Sequence, residues 1–159
     1  MTDEMYRMAN ALENTPGFLE RLLSESPVEL VTRRRRPGGW TIHEHTVHVC
    51  VGEKYAFHPR YQAFLTETYP VFDPVSGDDF PDGFYASLNL AEAVSEFRQL
   101  RSRTLELIRG SDDGIWSKKA HHPEYTIYTP FIMVRHLLLH DYWHMYAIEE
   151  LILTRDAVL

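Results

Sequence analysis

Thr129-Pro130-Phe131-Ile132-Met133-Val134-Arg135-His136-Leu137-Leu138-Leu139-His140-Asp141-Tyr142-Trp143-His144 is the stretch on which the fold turns. Threonine before proline marks a helix start: the hydroxyl caps a free backbone N–H, and proline at the first helical position lacks an N–H that would go unpaired anyway. From there Met133, Leu137, Ile148 and Leu151 share one stripe at helical spacing with His140 and His144. The spacing predicts a helix reaching about Leu153, with two imidazoles one turn apart on its apolar face. Buried imidazoles need partners; a shared divalent cation would satisfy both, as would separate hydrogen bonds to a carboxylate, tyrosine or carbonyl.

The same signals recur upstream. Thr15-Pro16 precedes Phe18, Leu19, Leu22 and Leu23, while Met5, Met8 and Leu12 recur before it, so the first helix reads as two segments bent at Pro16. Ser24 to Pro37 reads as a connection, closed by Arg33 to Arg36 and the breaker Pro37-Gly38-Gly39. Thr41-Ile42-His43-Glu44 is a capping box that opens a second helix to about Leu65. Asn89 with Glu92 caps a third, carried by Leu90, Val94, Phe97, Leu100, Leu105 and Ile108 and stopped by Gly110. Between helices two and three, Tyr69 to Leu88 contains Pro70, Pro74, Gly77, Pro81 and Gly83 without a sustained period, which predicts a long crossover loop. Asp112 to Tyr128 is polar and irregular, with one turn around Trp116. Four helical patterns and no strand alternation predict an all-α four-helix bundle, a single domain over residues 1–159. A loop spanning the bundle between helices two and three fits up-up-down-down order.

Composition narrows the function. With 159 residues, 44% hydrophobic and 25% charged, the chain has the make-up of an ordinary globular domain. Its net charge of −7 disfavours nucleic acid as a partner. The apolar run from Phe131 is interrupted by Arg135, His136, His140 and Asp141, which excludes a membrane span. One cysteine, Cys50, and an acidic start at Asp3-Glu4 lead to the expectation of a cytoplasmic protein.

Two imidazoles rarely hold a catalytic ion, so a third ligand is expected from another helix. His48 leads, because Gly52 one turn later leaves an open space beside it for a ligand or substrate. His43 and His45 compete, the first as a solvated residue at the helix start, the second as a core-edge residue or a donor behind a ligand. His136 continues the series, but each step of four drifts about 40° around the helix, so packing or hydrogen bonding behind the ligands is its expected role. His58, His121 and His122 are expected at the surface, and Cys50 as a small buried residue on another face from His48. Trp40, Tyr55, Tyr142, Trp143 and Tyr146 are candidate pocket walls. Arg33 to Arg36 reads as solvated surface, with attraction of an anionic thiol or a phosphate as the other reading.

Pro37-Gly38-Gly39-Trp40-Thr41-Ile42-His43-Glu44 followed by His48, together with His136-x-x-x-His140-Asp141-x-x-His144, resembles the DinB/YfiT-like metalloenzyme superfamily over nearly the whole chain. The Thr15-Pro16 start, the connection around Phe72-Asp73 and the loop His122-Pro123-Glu124 fit the same layout. The resemblance implies a four-helix bundle in an up-down-down-up arrangement, often a homodimer. It also implies a divalent metal held by three histidines, which map onto His48, His140 and His144. Some relatives transfer a low-molecular-weight thiol to an electrophile or isomerise a thiol adduct; many others have no known activity. This chain departs from the family pattern at Val51, where many relatives have an acidic residue, and at Ala147, where many have glutamine. Glu53 and Asp141 match commonly polar positions, and each either orients an imidazole or is a solvated helix charge.

These readings lead to the expectation of a metal-dependent thiol S-transferase acting on a small-molecule electrophile. Three neutral imidazoles leave the ion its full charge and an open position where a thiol would lose its proton. A water there would instead make a metal-dependent hydrolase, and a metal-binding regulatory bundle is the non-catalytic alternative. Zinc or nickel leads, with iron, cobalt and manganese suited to the same ligands.

Overall fold

Pro16 does not divide the first helix. The computed structural model describes residues 2–75 and 80–154, and α1 (Asp3–Glu25) runs unbroken through the proline. Proline cannot donate to the carbonyl of Leu12 four residues back. That oxygen is taken instead by the Thr15 hydroxyl at 3.0 Å and by the Arg101 guanidinium at 3.3 Å. The expected bend is absent because the released carbonyl has found other donors.

A short α2 (Val28–Val31) interrupts the next connection. The second long helix begins as α3 (Ile42–Gly52) on its capping box: Thr41 Oγ1 accepts from the Glu44 N–H at 3.1 Å, and the Glu44 carboxylate from the Thr41 N–H at 2.8 Å. It passes without interruption through a π-helical stretch, Glu53–Phe57, into α4 (His58–Thr66). After α5 (Phe84–Ser87), the third long helix, α6 (Leu90–Arg109), starts where Asn89 Oδ1 accepts from the Glu92 N–H at 3.1 Å. A 3₁₀ turn, Asp113–Ser117, contains Trp116. A hairpin of β1 (Ala120–His122) and β2 (Tyr125–Tyr128) follows, pairing Ala120 with Tyr128 and His122 with Tyr125. The expectation of no strands is corrected here; runs of three and four residues are too short to display an alternation. The last helix, α7 (Pro130–Leu153), is capped as expected by Thr129.

Helices α1 and α3 both pack on α6 and α7. Their directions follow from specific pairs. Glu13 meets Arg109 and Glu20 meets Arg98, so α1 and α6 are antiparallel. Leu19 and Leu22 cluster with Met145 and Ile148, whereas Met5 and Met8 cluster with Met133 and Leu137, so α1 and α7 are parallel. His45 meets His144 while Phe57 meets His136, so the second long helix runs against α7. The order is up-down-down-up, which corrects the up-up-down-down reading: loop length alone cannot distinguish which pair of neighbours is parallel. Residues 76–79 of the connection expected to cross over lie outside the described residues. Its flanks pack as Phe72 on Phe64 and Tyr128, and as Tyr85 on Trp40. No helix among the described residues is long and apolar enough to cross a membrane.

One polar layer divides the core. On one side lie Leu12, Phe57, Leu105 and Leu137, and on the other Leu19, Val49, Phe97 and Met145. Between them the long helices contribute buried polar side chains: Thr15, Glu53, Arg101 with Thr104, and Asp141. Arg101 sits on the buried stripe of α6, one turn beyond Phe97, over whose ring it lies at 4.8 Å. It donates to Glu53 Oε2 at 2.9 Å and to Asp141 Oδ2 at 2.7 Å; Thr15 adds a 2.8 Å bond to the same Asp141 oxygen. A buried charge demands this degree of pairing.

Candidate metal centre

His48 reaches the site from the middle of α3, and His140 and His144 from successive turns of α7. Among the described residues these three form a group whose ligand-capable atoms all lie within 4.8 Å of one another. His48 Nε2 is 3.0 Å from His140 Nε2, and the ring centres of His48 and His140 are 4.5 and 4.6 Å from that of His144. Burial, with His140 and His45 nearby, pushes the His48 imidazole down to about 3. Burial likewise holds His144 far below the ordinary histidine range, helped by His140, His48 and His45. Neutral rings present lone pairs, the form a cation requires.

The surroundings orient the rings. His45 Nδ1 lies 2.9 Å from His144 Nδ1, so one nitrogen donates and the other accepts. A ligand bond at His144 Nε2 would leave the proton on Nδ1, with His45 as its acceptor. Trp40 stacks on His144 at 5.8 Å and meets His48 edge-on at 4.8 Å. Asp141 keeps Oδ1 without a hydrogen bond, 3.8 Å from His140 Nδ1, and that nitrogen is also buried without a partner. His48 Nδ1 is a third such atom. The donor set of three imidazoles, with orphaned polar atoms behind two of them, fits a divalent transition metal.

Gly52 does not leave open space for a ligand. A Cβ at this position would stand 3.2 Å from His140 Cε1, so the glycine makes room for the histidine ring itself. The solvated reading of Glu53 and Asp141 is also corrected: both are fully buried in the polar layer. Asp141 adjoins His140, whereas Glu53 bonds Arg101 and Thr104. His136 accepts or donates at 3.3 Å with the Tyr125 hydroxyl and packs edge-on against Phe57. His43 is half-buried, with Nε2 3.1 Å from the Tyr85 carbonyl oxygen. His58 is half-buried beside Thr104, and His122 is buried against Tyr125 and Tyr128, neither at the surface as expected; His121 is exposed. Cys50 is buried, and burial pushes its thiol up, away from reactivity.

A cavity of about 550 Å³ opens on His48 and His144. Trp40, His45, His48, Trp143, His144, Ala147, Arg35, Arg36, Glu150 and Thr154 are among its walls. Tyr55, Tyr142 and Tyr146 are not, in contrast to the expectation from aromatic content. Val51 packs instead against Val47 and Tyr85. Sequence reasoning missed Arg101, although an arginine in register with Val94, Phe97, Leu105 and Ile108 is a legible signal of a buried, paired charge.

The sequence model of the DinB superfamily matches residues 11–148. No curated protein matches the chain. Among solved structures it is similar to YfiT from Bacillus subtilis, described as a probable metal-dependent hydrolase with an unusual four-helix bundle topology. The two share 20% identity and a TM-score of 0.83, over 95% of this chain and 87% of YfiT.

Proposed function

The chain belongs to the DinB superfamily, and from that premise we propose that it is a metal-dependent thiol S-transferase whose divalent cation is held by His48, His140 and His144. The observation that carries this is the convergence of three imidazoles, of which His48 and His144 line an open cavity. A cation bound there supplies Lewis-acid charge, which lowers the pKa of a thiol or water in the open position. Trp40 and Trp143 line the cavity, His45 orients His144 through the 2.9 Å contact between their Nδ1 atoms, and Asp141 stands 3.8 Å from His140. The thiol proton leaves to solvent, the sulfur bonds the electrophilic carbon, and the leaving group departs with the electrons of the bond it breaks.

Thiol transfer is favoured over hydrolysis, the activity in the description of YfiT. Water attack benefits from a general base beside the nucleophile. Glu150 is the one carboxylate among the described cavity-lining residues, and its Oε1 accepts the Tyr146 hydroxyl at 3.0 Å. Ala147 offers no such group. A thiol, far more acidic than water, needs only the cation.

Two results are expected. With monochlorobimane and a panel of cellular thiols, turnover should require a thiol and stop on chelation; no chelator-sensitive turnover with any thiol would leave a metal-binding regulatory bundle. Gly52→Ala should weaken metal affinity about tenfold by crowding His140, as loss of an orienting contact does. The thermal midpoint should change little, since alanine favours the helix by about 1 kcal/mol. Competition with a chromophoric chelator measures the first, and an unchanged affinity would show that His140 is not held where Gly52 places it.

A further inference from the structure

The arginine run expected at the surface supplies a wall of the cavity. Its members have different tasks. Arg34 donates to the Gly39 carbonyl and, at 2.6 Å, to the Glu44 carboxylate, tying the loop to the start of α3. Arg35 donates to the Leu151 carbonyl at 2.6 Å and to Thr154, so its charge meets the negative end of α7. Arg36 opens a tight turn in which the Gly39 N–H donates to the Arg36 carbonyl at 3.0 Å. Pro37 presets the second position of that turn, and Gly38 takes the third with φ of 71°, a conformation suited to glycine. Gly39 is as constrained, since a Cβ there would lie 3.3 Å from the Arg36 carbonyl oxygen. The turn therefore fixes the backbone at Arg36, whose exposed side chain lines the cavity.

Resting on the thiol-transferase reading, we propose that Arg36 binds a carboxylate at the far end of the thiol co-substrate, whose sulfur sits at the three histidines. Three observations support this assignment. Arg36 lines the same cavity as His48 and His144. Among the described residues no carboxylate pairs with it, and Glu150, the acid on the wall, is bonded to Tyr146. Trp40, Trp143, Ala147 and Leu151 give the same cavity apolar wall. A chain with net charge −7 repels anions at long range, so a cationic wall here is a local provision for one. The ligand class is a thiol with an apolar middle and an anionic tail, captured by a planar guanidinium.

The test uses the full chain loaded with cobalt(II), whose near-ultraviolet charge-transfer band reports sulfur ligation without turnover. Mercaptohexanoic acid and mercaptohexanol share length and thiol and differ only in the tail. The wild type should bind the acid about five- to tenfold more tightly. Arg36→Gln should erase that preference while leaving the affinity for mercaptohexanol unchanged. Equal affinities in the wild type, or a preference that survives Arg36→Gln, would overturn the assignment to Arg36 alone. If neither thiol changes the cobalt spectrum, the thiol reading fails and this inference fails with it.

Discussion

Arg101→Met should destabilise the folded chain by about 3–5 kcal/mol, read from the urea midpoint. Methionine replaces the stem of arginine but not its charge. It would leave Glu53 and Asp141, both fully buried, without the guanidinium that bonds them at 2.9 and 2.7 Å. It would also remove a donor from the Leu12 carbonyl released by Pro16. The pH response separates this from simple loss of packing. In the wild type, Arg101 holds the Asp141 carboxyl below its ordinary range against the opposing effect of burial. That contribution is complete above the unfolded carboxylate pKa and is lost as pH falls through the lower folded value. The variant has buried carboxylates without a cation, so it should gain stability relative to wild type as pH falls and they become neutral. Adding Glu53→Gln and Asp141→Asn to Arg101→Met should restore most of the loss. A cost below about 1 kcal/mol would mean that the layer is hydrated rather than buried.

His144→Ala should lower metal affinity by more than about 100-fold, beyond the 10- to 100-fold typical of removing a residue behind a ligand. The variant would retain His48 and His140, whose Nε2 atoms are 3.0 Å apart, but two imidazoles leave too many coordination positions to solvent. It would also remove the His144 Nδ1 that lies 2.9 Å from His45 Nδ1. His136→Ala is the control on the same helix: its ring meets Tyr125 and Phe57, and its loss should leave affinity within about threefold of wild type. Equal losses in the two variants would indicate a general disturbance of α7 rather than removal of a ligand.

The parts of the fold legible in the sequence are those controlled by local chemistry. Thr41 with Glu44, Asn89 and Thr129 each start a helix with their own side chains. The stripe of α7 places His140 and His144 together because four residues make about one turn. Other features depended on distant partners. Pro16 is accommodated by Arg101, 89 residues away from the carbonyl it bonds, so no local reading predicts a straight helix. The burial of Glu53 and Asp141 is a property of the four-helix layer that Arg101 joins. Gly52 leaves a space, as its lack of a side chain suggests, but the antiparallel approach of α7 fills it with His140. Arg36 has the residue type of a solvated charge, and only the turn Arg36-Pro37-Gly38-Gly39 brings it beside the cavity.

Elemental analysis of the untagged wild-type chain, purified without chelator, tests the central claim most directly. About one equivalent of a transition metal per chain is predicted, as for other sites with three protein ligands and an open position, with His144→Ala holding less than about a tenth of that amount. A wild-type chain that takes up no metal even after reconstitution with zinc or nickel would contradict the account, and would leave His48, His140 and His144 as a structural cluster of imidazoles.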